Sequence, residues 1–236
     1  MASQRPAALL FDVNGTLFPA DVCAAAFRRA GLPGSAVEVW FARILRDGFA
    51  AQLAGGPHVT FRQLAEHHLA GLLAEHPVSP RVVGSRPSVQ QAVEQVIAAW
   101  CTADLYPDAA PALRSLHVAG LKLAVLTNGS ADTIARGVLQ KAGLEGAFTQ
   151  LMDIQGAGAW KPAPASYTYA SQQLGLPPDR IMMVASHPWD IYGALQAGLQ
   201  ACYVQRDPGD PYPVFLAKQP QLVVGSFEQL AAQLAG

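Results

Sequence analysis

The sequence is poor in charged residues and in cysteine, and it has no long apolar run. Charged residues make up 14% of the 236 positions and the formal net charge is −1, so no strong field would recruit nucleic acid or an anionic membrane. The three cysteines are widely spaced and form no CxxC motif, which fits a reducing compartment. Nothing approaches the ~18 apolar residues of a membrane span, and the N-terminus lacks the apolar segment of a secretion signal. We therefore expect a cytoplasmic protein that acts on a small molecule.

Apolar residues are abundant, at 51% of the chain, which is enough for a sizeable core. Short apolar segments predict six strands: Ala7–Phe11, Leu121–Leu126, Gln150–Asp153, Ile181–Ala185, Ala201–Gln205 and Leu222–Val224. Most are apolar on both faces, as is typical of parallel strands covered by helices. Helical patterns lie between them: Ala109–Ala119, Ala131–Ala142, Ser166–Leu174 and Ile191–Gly198. This alternation predicts an α/β fold with a doubly wound, Rossmann-like parallel sheet.

The stretch between the first two strands shows helical patterns only. They cover Ala20–Ala30, Ala36–Leu53, Thr60–Glu75 and Ser88–Ala103, with Pro- and Gly-containing breaks at 55–57 and 77–87. A crossover between parallel strands usually contains a single helix. We therefore predict an inserted helical cap subdomain (residues 18–104) in a Rossmann-like core domain formed by residues 1–17 and 105–236.

Four polar segments lie where the predicted strands end or the next helix begins. They are Asp12 with Thr16, Thr127-Asn128-Gly129-Ser130, Lys161-Pro162, and Ser186-His187-Pro188-Trp189-Asp190. Open α/β sheets bind ligands outside the carboxyl ends of their strands. The four segments together predict one catalytic site at that edge.

Each segment taken alone also has a purely structural interpretation. Asp12 could form a turn, and Thr127 and Ser130 could cap the helix that follows them. Lys161 could be a solvated surface lysine, and Asp190 could be the N-cap of a helix starting at Ile191. The order of all four segments along the chain favours the functional interpretation.

The four segments resemble, in this order, the motifs of the haloacid dehalogenase superfamily, which includes many phosphatases. Asp12-Val13-Asn14-Gly15-Thr16-Leu17 resembles the first motif. The segment at 127–130 resembles the second motif, Lys161-Pro162 the third and Trp189-Asp190 the fourth. The helical insertion follows the first motif, where this superfamily carries its cap. The resemblance implies that Asp12 is the nucleophile.

Two positions separate the phosphatases of this superfamily from its dehalogenases. A phosphatase needs an acid two residues after the nucleophile to protonate the leaving alkoxide, and Asn14 stands there. It also usually has an acid at the position of Ser186. A Mg²⁺ site would be reduced to Asp12, Asp190 and a backbone carbonyl, which impairs it without excluding it. A halide leaves without a proton, so dehalogenation fits these residues better.

The local sequence is most similar to the L-2-haloacid dehalogenases. The segment at 127–130 resembles their Ser-Asn-Gly-Ser, and the segment at 186–190 resembles their Ser-Asn-x-Trp-Asp. Lys161 and Tyr167 match their lysine–tyrosine pair. The resemblance implies a hydrolase that needs no cofactor. It would convert a small 2-haloalkanoate to the 2-hydroxy acid and halide through an ester on Asp12.

The resemblance also implies a role for each site residue. Lys161 would lower the pKa of Asp12, and Asp190 would position Lys161 and assist the hydrolytic water. Thr16 and Thr127 would fix the nucleophile and the substrate carboxylate, and Asn128 would hold the halide together with a cap arginine. The remaining residues that we assign to the substrate or halide pocket are Asn14, Phe41, Arg43, Tyr167, Ser186, His187 and Trp189.

Several pocket positions depart from the dehalogenase pattern. Asn14 replaces a tyrosine, and Phe41 stands where the cap arginine would follow the tryptophan Trp40. Arg43 follows Asp12 at the distance in sequence, counted without gaps, at which the cap arginine of the dehalogenases follows their nucleophile. We therefore prefer Arg43 over Arg46, although both could be solvated helix residues.

The histidines also need an interpretation. His187 replaces an asparagine of the dehalogenases, and it could act as a base, bind substrate or only fill that position. We interpret the other five histidines (His58, His67, His68, His76 and His117) as surface residues.

Two alternative functions stay open. One is a Mg²⁺-dependent small-molecule phosphatase of the same superfamily, and the other is a non-catalytic relative. An exposed apolar stripe on the cap would support a homodimer.

Overall fold

The computed structural model describes residues 4–56, 58–76 and 87–235. The chain divides into two compact units: Met1–Pro19 with Asp104–Gly236, here called the core unit, and Ala20–Ala103, here called the cap unit. The predicted domain limits lie close to this division, and the domain assignment itself stays a prediction. Most of the predicted break at 77–87, and one residue of the break at 55–57, lie outside the described residues.

The core unit is built on one parallel sheet of six strands, ordered β3-β2-β1-β4-β5-β6. The strands are β1 Ala8–Phe11, β2 Lys122–Thr127, β3 Phe148–Asp153, β4 Ile181–Ala185, β5 Gln200–Val204 and β6 Leu222–Val224. β1, β4 and β5 are buried along their whole length, as their almost entirely apolar sequences predict. The chain runs outward from β1 to β3 on one side and from β4 to β6 on the other, which puts the switch point of the sheet between β1 and β4. The predicted doubly wound α/β fold is confirmed.

The cap unit is helical. A 3₁₀ turn at Ala20–Cys23 leads into α1 Ala24–Arg29, and α2 Ala36–Leu53, α3 Phe61–Glu75 and α4 Val89–Cys101 follow. Thr60 and Ser88 each form a capping box with the glutamine three residues later, which explains where α3 and α4 begin.

The interior of the cap unit is aromatic. Trp40 packs against Phe27 and Trp100 with ring centroids 5.4 Å and 5.5 Å away, and its Nε1 donates to the Ala65 carbonyl at 2.9 Å. His68 is also buried, with 5% of its surface exposed, so the prediction of a surface residue was wrong for this histidine. It lies on the face of α3 that carries Leu69 and Leu72, which are buried as well.

The helices of the core unit surround the sheet. They are α5 Ala109–Val118, α6 Arg136–Lys141, α7 Ile154–Ala157, α8 Pro164–Leu174, α9 Pro188–Gln196 and α10 Phe227–Leu234. The predicted helix 131–142 begins instead with a π-helical turn at Ala131–Ala135 before α6. Within the described ranges, no helix is long and apolar enough to span a membrane.

Candidate active site

Asp12 stands directly after β1, where the chain turns sharply. Its amide donates to the Val184 carbonyl of β4 at 3.1 Å, and the turn closes with Leu17 N donating to Val13 O at 2.8 Å. Gly15 has φ +79, and a Cβ there would lie 3.1 Å from the His187 ring. Glycine adopts this left-handed conformation at little cost, so Gly15 both makes the turn and leaves room for the histidine. The result is a carboxylate at the carboxyl edge of the central strand.

Lys161 joins two carboxylates in a fully buried site. Its Nζ donates to Asp12 Oδ1 at 2.9 Å, to Asp190 Oδ2 at 2.6 Å and to the Leu126 carbonyl at 2.8 Å. Lys161 and Asp190 have no exposed surface, and Asp12 has 4%. The three bonds use every hydrogen of the ammonium group. The suggestion that Lys161 is a solvated lysine is therefore wrong.

The Thr16 hydroxyl holds the other carboxylate oxygen of Asp12. It donates to Asp12 Oδ2 at 2.8 Å and accepts the Ser186 backbone N–H at 3.0 Å. Thr16 is completely buried. Because the hydroxyl already accepts from Ser186, its own hydrogen is directed at the carboxylate. The Ser186 hydroxyl is buried and has no partner within the described part of the chain.

Tyr167 fixes the second carboxylate. From α8, its hydroxyl lies 2.7 Å from Asp190 Oδ1 and 3.0 Å from Asp190 O. The helix α9 begins at Pro188, since proline is well suited to the first helical position. Asp190 therefore lies in the first turn of this helix. The suggestion that Asp190 is an N-cap is wrong, since His187 occupies the cap position. Asp190 is instead the buried partner of Lys161 and Tyr167.

The segment after β2 supports the lysine. The Asn128 side chain accepts from Lys161 N at 2.9 Å and donates to Lys161 O at 3.2 Å. Thr127 Oγ1 accepts from Gly129 N at 3.0 Å. Ser130 caps the next helical turn through Thr133 N at 3.3 Å, as its structural interpretation predicted. Asn128 thus holds the Lys161 backbone, and its predicted halide contact stays a prediction.

The buried charges shift one another's pKa values. Burial by itself would raise the pKa of Asp12, but the charge of Lys161, the nearby His187 and the hydrogen bonds from Lys161 and Thr16 together hold it below the ordinary value. Burial and the neighbouring Asp12 raise the pKa of Asp190 against the opposing effect of Lys161. Burial would lower the pKa of Lys161, but the two carboxylates raise it. Of the two carboxylates, Asp12 is therefore the one that loses its proton more readily.

His187 lies close to the Asp12 oxygen that Thr16 holds. Its Nε2 is 2.9 Å from the Asn14 carbonyl and 3.7 Å from Asp12 Oδ2. A carbonyl only accepts, so Nε2 carries a hydrogen. The ring stacks on Trp189, with centroids 5.4 Å apart and planes inclined by 14°, and Lys161 Nζ lies 5.7 Å from the Trp189 ring centroid.

Asn14 sits in the same corner of the site. Its side chain is 5% exposed, and its Oδ1 has no hydrogen-bond partner among the residues described. Asn14 and His187 thus lie next to Asp12, and Trp189 stacks on His187. The contacts of all three with substrate stay predictions.

Phe41 and Arg43 belong to the cap unit. Arg43 pairs with Glu75 at 2.8 Å, and the Phe41 ring packs on Phe61 and Trp100 at 6.3 Å and 6.0 Å. Their predicted roles in the pocket also stay predictions.

Few ligands are present for the predicted alternative of a Mg²⁺ site. Asp12 and Asp190 both bond to Lys161, and Asn14 and Ser186 supply no further acid as a ligand. Within residues 4–56, 58–76 and 87–235, no three His, Cys, Asp or Glu side chains form a group that could hold a metal ion. The site is built around an internal cation.

Sequence patterns missed two groups at this edge of the sheet. The Leu126 carbonyl that accepts from Lys161 is backbone, which residue types cannot reveal. Arg206 contacts the Thr16 carbonyl, and its position two residues after β5 at the same edge was the available signal.

These features define a class of protein: a Rossmann-like core that presents a buried aspartate–lysine–aspartate site. The profile of the haloacid dehalogenase-like hydrolases matches residues 6–198. Haloacetate dehalogenase H-2 of Moraxella sp. (strain B) is 39% identical over 101 residues, which cover 43% of this chain and 45% of that protein. The (S)-2-haloacid dehalogenase of Xanthobacter autotrophicus is 30% identical over 202 residues, covering 84% and 75%.

Solved structures show the same likeness. The L-2-haloacid dehalogenase of Xanthobacter autotrophicus with chloropropionic acid covalently bound has a TM-score of 0.82 and 25% identity, and the match covers 98% of this chain and 99% of that one. The chain belongs to the haloacid dehalogenase-like hydrolases, which confirms the resemblance found in the motifs.

Proposed function

We propose that this protein is a hydrolytic dehalogenase that converts a short 2-haloalkanoate to the 2-hydroxy acid and halide. One observation carries the proposal. The ionised Asp12 is held by a buried lysine and a threonine hydroxyl, while Asn14 and Ser186 stand where phosphoryl transfer would need acids. The names of the related proteins support the same reaction.

The first step is an in-line displacement at C2. An Asp12 oxygen forms a bond to C2, the carbon–halogen bond breaks, and the halide leaves with the electron pair. No proton moves, so Asn14 is no obstacle. Lys161 and Thr16 keep Asp12 ionised and fix its orientation, which brings the attacking oxygen close to a reactive geometry. Asn128, Thr127 and Arg43 would contact the halide or the substrate carboxylate.

The second step releases the product. Water attacks Cγ of the Asp12 ester, the bond between Cγ and the ester oxygen breaks, and the departing alkoxide takes a proton. The other proton of the water goes to solvent. Asp190 keeps Lys161 in place and would assist the water, and Lys161 would stabilise the charge on the carbonyl oxygen in the transition state. Because only the first step breaks a bond at C2, the hydroxy acid has inverted configuration.

Neither alternative function accounts for the site as well. A magnesium-dependent phosphatase would need a proton donor where Asn14 stands and a further acid ligand where Ser186 stands. A non-catalytic relative would gain little from three buried charges, since a hydrophobic replacement of such a group is often neutral or stabilising. The cytoplasmic location and the homodimer stay predictions.

The decisive experiment measures chloride release from L-2-chloropropionate and from chloroacetate in the presence of EDTA. We expect release by the wild type and none by Asp12→Asn, which keeps the shape of the side chain. Phosphate release from p-nitrophenyl phosphate only with added Mg²⁺ would support the phosphatase instead. Turnover of neither kind of substrate would contradict the dehalogenase proposal.

A single turnover in H₂¹⁸O tests the ester intermediate. Water attacks Cγ, so the label should enter the peptide that contains Asp12, and the first product molecule should remain unlabelled. Label in the hydroxy acid from the first turnover would show that water displaces the halide directly.

A further inference from the structure

Arg206 lies outside the groups used in the proposed reaction, yet it contacts the nucleophile's turn. It follows β5 at the edge of the sheet where Asp12 follows β1. Its Nη1 donates to Asp108 Oδ2 at 2.7 Å, and its Nη2 lies 3.4 Å from the Thr16 carbonyl. The side chain is 17% exposed. One guanidinium group therefore bridges two segments that are far apart in the sequence.

Two aromatic rings fix the plane of this guanidinium group. Its central carbon lies 4.1 Å from the Tyr106 ring centroid and 4.6 Å from that of Phe227. Asp108 Oδ2 also accepts the Phe227 backbone N–H at 2.8 Å. A planar, stacked and paired arginine has little freedom to move, so its position is well determined.

The bridged segments are the two connections through which the core unit continues into residues 20–103. Leu17 and Tyr106 stand close to these crossings, and Tyr106 N donates to Leu17 O at 2.9 Å. Thr16 precedes Leu17, and its hydroxyl is the group that holds Asp12 Oδ2. Arg206 thus contacts Thr16 in the first connection and both Tyr106 and Asp108 in the second.

We propose that Arg206 is a positioning residue for Asp12. By holding the Thr16 carbonyl and the Tyr106–Asp108 segment, it fixes the backbone that directs the Thr16 hydroxyl at the nucleophile. Arg206 touches neither Asp12 nor the reacting atoms. The proposal rests on the proposed dehalogenase function for its kinetic test, and a second measurement below is independent of that function.

The kinetic test uses Arg206→Met, which keeps the apolar stem and removes the charged fork. We expect kcat for chloride release to fall by about tenfold to a hundredfold with KM nearly unchanged, because small displacements of a reacting group have effects of this size. The kcat of Arg206→Lys should lie between those of wild type and Arg206→Met, since lysine keeps the charge over the rings and loses the paired donors.

A double-mutant cycle asks whether the effect passes through Thr16. In a Thr16→Val background the hydroxyl is already gone, so Arg206→Met should lower kcat by at most about twofold more. Full additivity of the two losses in kcat would overturn the proposed route through Thr16.

Two control variants accompany the double-mutant cycle. Leu230→Ala weakens the packing of α10, and Arg136→Met removes the pairs with Asp132 and Glu145. Both should keep the wild-type kcat.

Amide hydrogen exchange supplies the measurement that is independent of function. The Tyr106 amide should exchange at least about tenfold faster in Arg206→Met than in wild type and in Leu230→Ala, because local opening sets the exchange of a bonded amide. If wild type releases no chloride, the proposed function fails and this measurement still decides the role of Arg206. Unchanged exchange together with unchanged kcat would overturn the proposal.

Discussion

Replacing Lys161 by methionine removes the internal cation while keeping most of the side-chain volume. Three hydrogen bonds are lost, to Asp12, to Asp190 and to the Leu126 carbonyl. The two carboxylates then lie close together with no positive charge between them. The change therefore tests both the stability and the chemistry assigned to this site.

The expected cost follows from the burial of all three groups. Removing one member of a buried ion pair typically destabilises a protein by about 3–5 kcal/mol, against a total stability of about 5–15 kcal/mol. The matched control is Lys141→Met, which breaks a pair with Asp104 whose side chains are 45% and 88% exposed. Exposed pairs contribute about 0–1 kcal/mol, so the control should unfold nearly like wild type.

The destabilisation should depend on pH with a defined sign. In wild type the lowered pKa of Asp12 contributes stability above the ordinary carboxylate range, and this stability is lost as the pH falls through the folded-state value. Without Lys161 the pKa values of Asp12 and Asp190 should both rise. The loss of folding stability in the variant should therefore be largest at neutral pH. The stability gap between wild type and variant should narrow as the pH falls to about 5.

Urea unfolding at two pH values measures the stability gap, and chloride release measures activity. We expect Lys161→Met to be inactive at neutral pH, because Asp12 would be largely protonated or misplaced. Adding Asp12→Asn to Lys161→Met should recover part of the lost stability by removing one buried carboxylate. A Lys161→Met protein that is as stable as Lys141→Met and retains activity would refute the role given to the lysine.

Three further predictions concern the groups around this site. Tyr167→Phe removes the hydroxyl from Asp190 and should cost about 1–3 kcal/mol in urea unfolding, with a lower kcat; wild-type values would contradict the contact. Gly193→Ala places a Cβ 2.5 Å from Pro162 Cβ and 2.7 Å from the Tyr167 hydroxyl. It should destabilise the fold by about 1–3 kcal/mol, and a neutral effect in thermal unfolding would show that α9 can move aside. Because the pKa of Asp12 is lowered, kcat/KM should hold down to about pH 4, and an acid limb at higher pH would show that a group other than Asp12 limits the reaction.

Apolar patterning predicted the sheet because its strands are buried on both faces. β4 and β6 have the predicted limits, and so does α2. β3 begins two residues earlier than predicted, at Phe148. It is one of the two edge strands of the sheet, and half of its residues are polar or exposed, so its apolar signal is weak. His68 lies on α3 between the exposed His67 and the buried Leu69, and only the packing of the helix decides that it is buried.

The sequence by itself determined the family and predicted that Asp12 is the nucleophile. The features that support this are local: Asp12 after an apolar run, the three later segments, and the residue types at Asn14 and Ser186. Each can be recognised without knowing which distant segments it contacts in the fold. They were enough to favour a halide over a phosphoryl group, because proton donation depends on the residue type at one position.

Only the tertiary structure decided the electrostatics of the site. Lys161 meets Asp12 across 149 positions of sequence and Asp190 across 29, and all three become buried only when the sheet is assembled. Arg206 reaches Thr16 across 190 positions. The pKa of a carboxylate depends on burial and on the charges within a few ångströms of it, and both are properties of segments that meet in the folded core unit.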